Sequence, residues 1–374
     1  MSEYQYYEFQ TIDRPLTTEE QAALSKLSSR AQLTPTQATF VYNYGDFRGD
    51  PKQILTQYFD IMLYVASWGT WRLIFRLPKV IVDPAWFHPF LILNAISIET
   101  TPDYLVLDIE INEEGGPNGW IYGEGWLSRL TPLRDDLLRG DVRLLYVAWL
   151  RVATACSDIE IDANPVEPPI PANLGQLSDP LQAFIELVEL DPDLVGAAAQ
   201  ASPRHKSTSE APTPLENYLS ELSEAERHEY LVKLVQREPH LDLHLIHRLR
   251  QLAGNNQSAP ELIPGHRRLS ELKKIAETLW TEREQKEQNA ARKKRRQELE
   301  ALAPKEVQTW ERVMALIDLK QTKSYEEAVA LLIDLRDLAK HQERLPEFTQ
   351  RLQKIKSDFS NRPALLARLR QLVT

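Results

Sequence analysis

The chain has 374 residues, with 44 Lys and Arg against 54 Asp and Glu, a formal net charge of −10, and a single cysteine, Cys156. The length predicts two or three domains, and a single cysteine excludes a disulfide framework and a thiolate zinc site while fitting a reducing, cytoplasmic setting. No apolar run approaches the ~18 residues of a membrane helix, the longest being Ile61–Trp68 and Leu144–Leu150.

The N-terminal MSEYQYYEFQ lacks a basic stretch followed by an apolar one, so no signal peptide is expected. Charge is unevenly placed. Residues 1–170 hold 13 basic and 23 acidic groups, whereas residues 171–374 hold 31 of each. Of the 31 aromatic residues, 23 lie in the first 150. An acidic, aromatic-rich half followed by an aromatic-poor, charge-mixed remainder is a domain division written in composition.

The first half reads as α+β. Tyr6–Ile12 predicts a strand, and the capping box Thr17-Thr18-Glu19-Glu20 opens a helix through Ser29. Ala38–Tyr44 is a strand, preceded by a further short one if Ala31–Leu33 is extended. Asp50-Pro51 supplies N-cap and first helical residue for a helix to about Phe59. Met62–Ala66 and Trp71–Arg76 are strands around a turn at Ser67–Thr70. The order resembles a split β-α-β, ferredoxin-like antiparallel sheet.

Asp83-Pro84 starts a helical turn, and Ile92–Glu99 with Tyr104–Ile111 forms a hairpin. Alternation puts Leu105, Leu107, Ile109 and Ile111 on one face and Val106, Asp108 and Glu110 on the other. Helices follow over Gly125–Leu138 and Asp141–Ala155, then a proline-rich strap with Pro165, Pro168, Pro169 and Pro171. Short helices at Asp179–Leu190 and Asp193–Ala199 precede a polar linker at Ser202–Thr213.

The remainder reads as an all-α helical-hairpin region. Ser223-x-x-Glu226 caps a helix to Arg237, Pro239 restarts one to Leu252, and Gly254–Pro264 is a loop. A long polar helix runs from His266 past Glu300. Ser324-x-x-Glu327 caps a helix striped by Ala328, Leu331, Leu332 and Leu335; Leu352, Ile355 and Phe359 mark the next and Pro363–Val373 the last. The expected division is 1–162 (acidic α+β domain), 163–201 (strap and short helices), 202–213 (linker), 214–253 (helical hairpin), 254–265 (loop), 266–303 (polar helix) and 304–374 (C-terminal helices).

Few residues suggest chemistry. Arg292, Lys293, Lys294, Arg295 and Arg296 form a basic run that suits phosphates or a solvated helix face; residues 266–300 carry 11 bases against 7 acids. His240, His244 and His247 stand at i, i+4 and i+7, a weak metal-site spacing without an intervening HExxH glutamate. Asp108 and Glu110, with Glu113, Glu114 and Glu124 nearby, suit a hard cation or acid–base work, or else an outward sheet face. Trp68, Trp71 and Trp120 are candidate interface anchors, with core packing as the alternative. The Gly115–Gly119 loop is turn chemistry, Arg48-Gly49-Asp50 is a helix start, Ser270-x-x-Lys273 is helical spacing, and Cys156 is a small apolar residue.

Tyr7-Glu8-Phe9-Gln10-x-Ile12-Asp13-Arg14-Pro15-Leu16-Thr17, Tyr42-Asn43-Tyr44-Gly45-Asp46-Phe47-Arg48-Gly49-Asp50-Pro51 and Gly69-Thr70-x-Arg72-Leu73 together resemble an uncharacterised bacterial protein family of similar chain length. The resemblance spans nearly the whole chain, including the Glu311–Leu369 tail. It implies a bacterial, cytosolic origin and carries no activity, cofactor or catalytic residue onto any position. The expectation is therefore a non-catalytic interaction or scaffold protein without a cofactor. Its acidic domain would meet a protein partner with a basic surface. The alternatives are a nucleic-acid-associated accessory factor, linked to defence or mobile elements, using Arg292–Arg296, and a carboxylate- or metal-dependent enzyme.

Overall fold

A computed structural model describes residues 4–28, 30–113, 122–155, 164–203, 215–236, 238, 241–252, 260 and 262–370. The N-terminal elements are β1 (Gln5–Gln10), α1 (Thr18–Ser25), β2 (Gln32–Leu33), β3 (Gln37–Tyr42), α2 (Pro51–Tyr58), β4 (Ile61–Ala66) and β5 (Thr70–Pro78). Two short 3₁₀ turns, Pro84–Trp86 and His88–Phe90, lead to β6 (Ile96–Thr100) and β7 (Tyr104–Asn112). Local chemistry sets the helix starts. Thr17 and Glu20 form the reciprocal capping box of α1, and the Asp50 carboxylate accepts from the Lys52 and Gln53 amides ahead of Pro51.

The strands form one seven-stranded sheet in the order β2-β3-β1-β4-β5-β7-β6, with every neighbouring pair antiparallel. β3 and β4 both run opposite to β1 and flank it, so β3-α2-β4 is a split β-α-β crossover. The earlier helical connection runs from β1 through α1 to β2; β2 and β1 both run opposite to β3 and flank it, so β1-α1-β2 is a second split crossover interlocked with the first. The α+β class therefore stands, and β2-β3-β1-β4 follows the split β-α-β order, with β5, β7 and β6 added beyond β4. β2 is a two-residue edge strand that pairs with β3 alone.

Alternation along the strands gives the sheet two apolar faces. Tyr7, Phe9, Phe40, Met62, Ile74 and Val106 pack under α1 and α2 with Leu24, Leu55 and Phe59. Tyr6, Leu63, Trp71, Leu73, Phe75, Leu107 and Ile109 face a larger helical layer. That layer comprises α3 (Trp126–Leu130), α4 (Pro132–Leu138), α5 (Arg143–Ala155), α6 (Asp179–Leu187) and α7 (Pro192–Ala199). The single helix expected over Gly125–Leu138 is two, because Thr131-Pro132 interrupts it and proline has no N–H to continue the ladder.

A two-stranded ladder then pairs β8 (Ile170–Pro171) with β9 (Leu262–Ile263). Between them in sequence lie a 3₁₀ turn, Leu215–Glu221, and helices α8 (Glu224–Val235) and α9 (Leu241–Leu252). The long helix α10 (Leu269–Leu302) follows. The chain divides into two compact units, Met1–Trp280 and Thr281–Thr374, with the boundary inside α10. Leu272 and Ala276 of α10 belong to the same core as the sheet, so the first unit extends well past the composition break near residue 162. Residues 204–213 of the expected linker lie outside the described residues.

The second unit is built from the end of α10, a 3₁₀ turn at Ala303–Lys305, α11 (Glu306–Asp318), α12 (Thr322–His341), α13 (Leu345–Asp358) and α14 (Pro363–Leu369). Val313, Ile317, Ala328, Leu332, Leu335, Phe348, Leu352, Leu365 and Leu369 form its core. Ser324 is not the cap expected of it. The helix begins earlier, at Thr322, and Ser324 is a buried residue of its first turn. Every residue of α10 from Trp280 to Lys294 is exposed.

Candidate interaction surface

Asp108 and Glu110 share a face with Val106, as the alternation requires. Neither is a free carboxylate. Arg72 on β5 forks onto Asp108, Nε to Oδ1 at 2.9 Å and Nη2 to Oδ2 at 2.7 Å, and Lys52 from α2 adds a contact to Oδ2 at 3.0 Å. Burial pushes the Asp108 carboxyl up, but Arg72 and Lys52 outweigh it and hold it below the usual range. Glu110 lies opposite Arg72 across the strand pair and approaches its Nε at 3.4 Å. This is cross-strand charge neutralisation, and it leaves no unpaired base at Asp108 for proton transfer.

The histidine spacing is placed only in part. His244 sits on α9, where its carbonyl accepts the Tyr230 hydroxyl at 3.5 Å. His240 and the His247 side chain lie outside the described residues. No group of three or more metal-ligating side chains occurs among the described residues.

The tryptophans separate. Trp71 is 2% exposed and packs in the sheet core with the Arg151 guanidinium 5.8 Å from its ring centre, so it is no surface anchor. Its position on β5 between two apolar layers explains this, because alternate residues of a doubly covered strand are all buried. Trp68, in the β4–β5 turn, is 45% exposed. Trp120, Gly115–Gly119 and Cys156 lie outside the described residues.

The basic run also separates. Arg295 contacts Asp334 at 2.8 Å and Asp337 at 2.7 Å on α12, and Arg296 pairs with Glu300 one turn on. Arg292, Lys293 and Lys294 are exposed and make no ion pair among the described residues. Two of the five cations are therefore committed within the second unit.

Sequence reasoning missed an apolar surface on α8 and α9. Ser223 and Glu226 form a reciprocal capping box that starts α8, and Arg248 of α9 reaches Glu226 Oε1 at 2.8–2.9 Å. With the 3₁₀ turn, α8 and α9 frame a groove of about 620 Å³. Arg227, Tyr230, Leu231 and Leu234 line it from α8 at i, i+3, i+4 and i+7, and Leu241 and Leu245 from α9 at i and i+4. Leu219, Ser220 and Leu222 complete the lining. Leu231 and Leu234 are 61% and 63% exposed, so the groove is an open apolar trough. The available signal was Tyr230-Leu231-Val232-Lys233-Leu234-Val235, which puts more apolar residues on a polar helix than one buried stripe needs.

No protein-family model, no curated protein and no solved structure matches the chain, so the functional reading rests on this geometry.

Proposed function

We propose that the chain is a non-catalytic protein-interaction protein of a bacterial cytosolic assembly, and that the α8–α9 trough is its contact surface. The observation that carries this reading is the exposure of Leu219, Leu231 and Leu234 along one continuous groove. An apolar trough framed by two helices accepts a partner helix along its length. The neutralised Asp108 site supports the non-catalytic part of the reading. The test is purification of the full chain from the cells that produce it, beside a Leu231→Asp/Leu234→Asp variant. A partner in fixed stoichiometry with the native chain and absent from the variant supports the reading. A native chain that stays alone overturns it.

A second reading, a nucleic-acid accessory factor, draws on the exposed Arg292, Lys293 and Lys294. Three phosphate contacts give a slope of about −3 in log affinity against log salt. Binding without that slope, or binding that survives reversal of these three charges, removes it.

A further inference from the structure

We infer that the occupant of the α8–α9 trough is a basic amphipathic helix of a partner protein. This deepens the interaction reading and rests on it. The charges beside the trough select the occupant. Glu216 stands one 3₁₀ turn before Leu219 and so shares its side. Glu221 lies between the lining residues Ser220 and Leu222, and Glu224 stands one helical turn before Arg227. All three carboxylates are exposed, and none is ion-paired among the described residues.

The nearby cations are largely spent. Lys233 is held by Glu229 at 2.8 Å and Arg248 by Glu226 at 2.8 Å. Among the described residues, Arg227 is the one cation lining the trough. The rim is therefore acidic around an apolar floor. A second copy of this chain is a poor occupant, because it brings the same three uncompensated carboxylates to the contact and, among the described lining residues, Arg227 alone to offset them. A helix with leucines at i, i+3 or i+4 and i+7 and flanking Lys or Arg satisfies both floor and rim.

The test uses the full chain and two labelled peptides of about 18 residues, long enough for roughly five helical turns. One is a Leu/Lys amphipathic helix; the other keeps the leucines and replaces every Lys by Glu. Anisotropy titrations are run at low and high salt. The expected result is binding of the Leu/Lys peptide that weakens with salt and little binding of the Leu/Glu peptide. Leu234→Asp, at an exposed site that leaves folding intact by circular dichroism, is expected to weaken binding roughly tenfold or more. Glu216→Lys/Glu221→Lys/Glu224→Lys is expected to remove the salt dependence and the preference for Lys over Glu.

Equal binding of the two peptides, no binding of either, or native binding by Leu234→Asp overturns the inference. Dimerisation of the native chain in sedimentation that Leu234→Asp abolishes also overturns it, since a second copy then fills the trough. A co-purified partner lost in the Leu231→Asp/Leu234→Asp variant but outcompeted by neither peptide overturns the basic helix alone and leaves the interaction reading standing.

Discussion

Arg267 closes on Glu167 through a two-point fork, Nε to Oε1 and Nη2 to Oε2, each at 2.7 Å, across 100 positions of sequence. The Tyr146 hydroxyl donates to Glu167 Oε2 at 2.6 Å and the Arg267 amide to Oε1 at 3.1 Å. Arg267 spends its other N–H groups on the carbonyls of Ala197 and Ala198. The proline strap, the end of α7 and the segment entering α10 are thus joined at one carboxylate that is 3% exposed.

That carboxylate sets an acid limit. Burial pushes Glu167 up, but hydrogen bonds from Arg267 and Tyr146 hold it below the ordinary range. A folded pKa lower than the unfolded value of about 4.3 contributes stability above that pH, and the contribution disappears as pH falls through the folded value. Urea unfolding of the first unit at pH 7, 4 and 3 is expected to show a steep loss, and Glu167→Gln a shallower one from a lower starting stability. Identical pH profiles would sink this account.

Gly265 is fixed by the same junction. A Cβ there would stand 2.4 Å from the Glu167 and Pro168 carbonyl oxygens, both of them backbone atoms with little room to move. Gly265→Ala is expected to cost about 1–3 kcal/mol, as overpacking does. Thermal melts of the native chain and this variant check it.

A second buried cluster ties the sheet to α4. Asp60 Oδ1 accepts from Arg76 Nη2 at 2.7 Å, and Asp60 Oδ2 accepts from the Ile12 and Asp13 amides at 2.6 and 3.0 Å. Arg134, 1% exposed, forks onto Asp13 at 2.9 and 3.0 Å and donates to the Arg76 carbonyl at 3.0 Å. Asp60→Asn removes the countercharge of Arg76 in a desolvated site. The expected loss is about 3–5 kcal/mol. Trp310 is the one tryptophan after residue 280. A Trp310→Phe background therefore makes indole fluorescence report the first unit alone during urea unfolding.

Glu20 is expected to titrate well below the ordinary glutamate range. Arg14 forks onto it at 2.6 and 2.8 Å and the Thr17 amide adds a contact at 2.8 Å, bringing its pKa to about 2. Carboxyl-carbon NMR titration is expected to find that value in the native chain and a return toward the ordinary range in Arg14→Gln. Because the pair is near the surface, its effect on stability is small.

Local structure was legible where one side chain decides it. The capping boxes at Thr17 and Ser223 and the Asp50-Pro51 start depend on contacts within three residues, and each falls where the spacing put it. The face assignment of Val106, Asp108 and Glu110 needed only period-two alternation. The strand expected from Ile92 starts at Ile96, because Ile92 pairs back onto Ile96 in a tight turn with Asn94 at φ +64°. The place of β1 between β3 and β4 followed from the order of elements, and no single side chain specifies it. The Arg267–Glu167 and Arg134–Asp13 pairs were invisible, since each joins residues 100 or more positions apart. The trough was missed because exposure depends on what does not pack against α8, and a sequence lists residues without their neighbours.

The doubly covered sheet also has a schedule. All seven strands lie within residues 5–112, and the partners of the face under α1 and α2 are complete when β7 is made. The opposite face waits for α3 to α7, and finally for Leu272 and Ala276 of α10. At roughly 5–20 residues per second, a ribosome needs on the order of ten to thirty seconds to supply them. For that interval Leu63, Trp71, Phe75 and Leu107 stand on a finished but half-roofed sheet. During synthesis this apolar face therefore stays uncovered until the helices that roof it have been made.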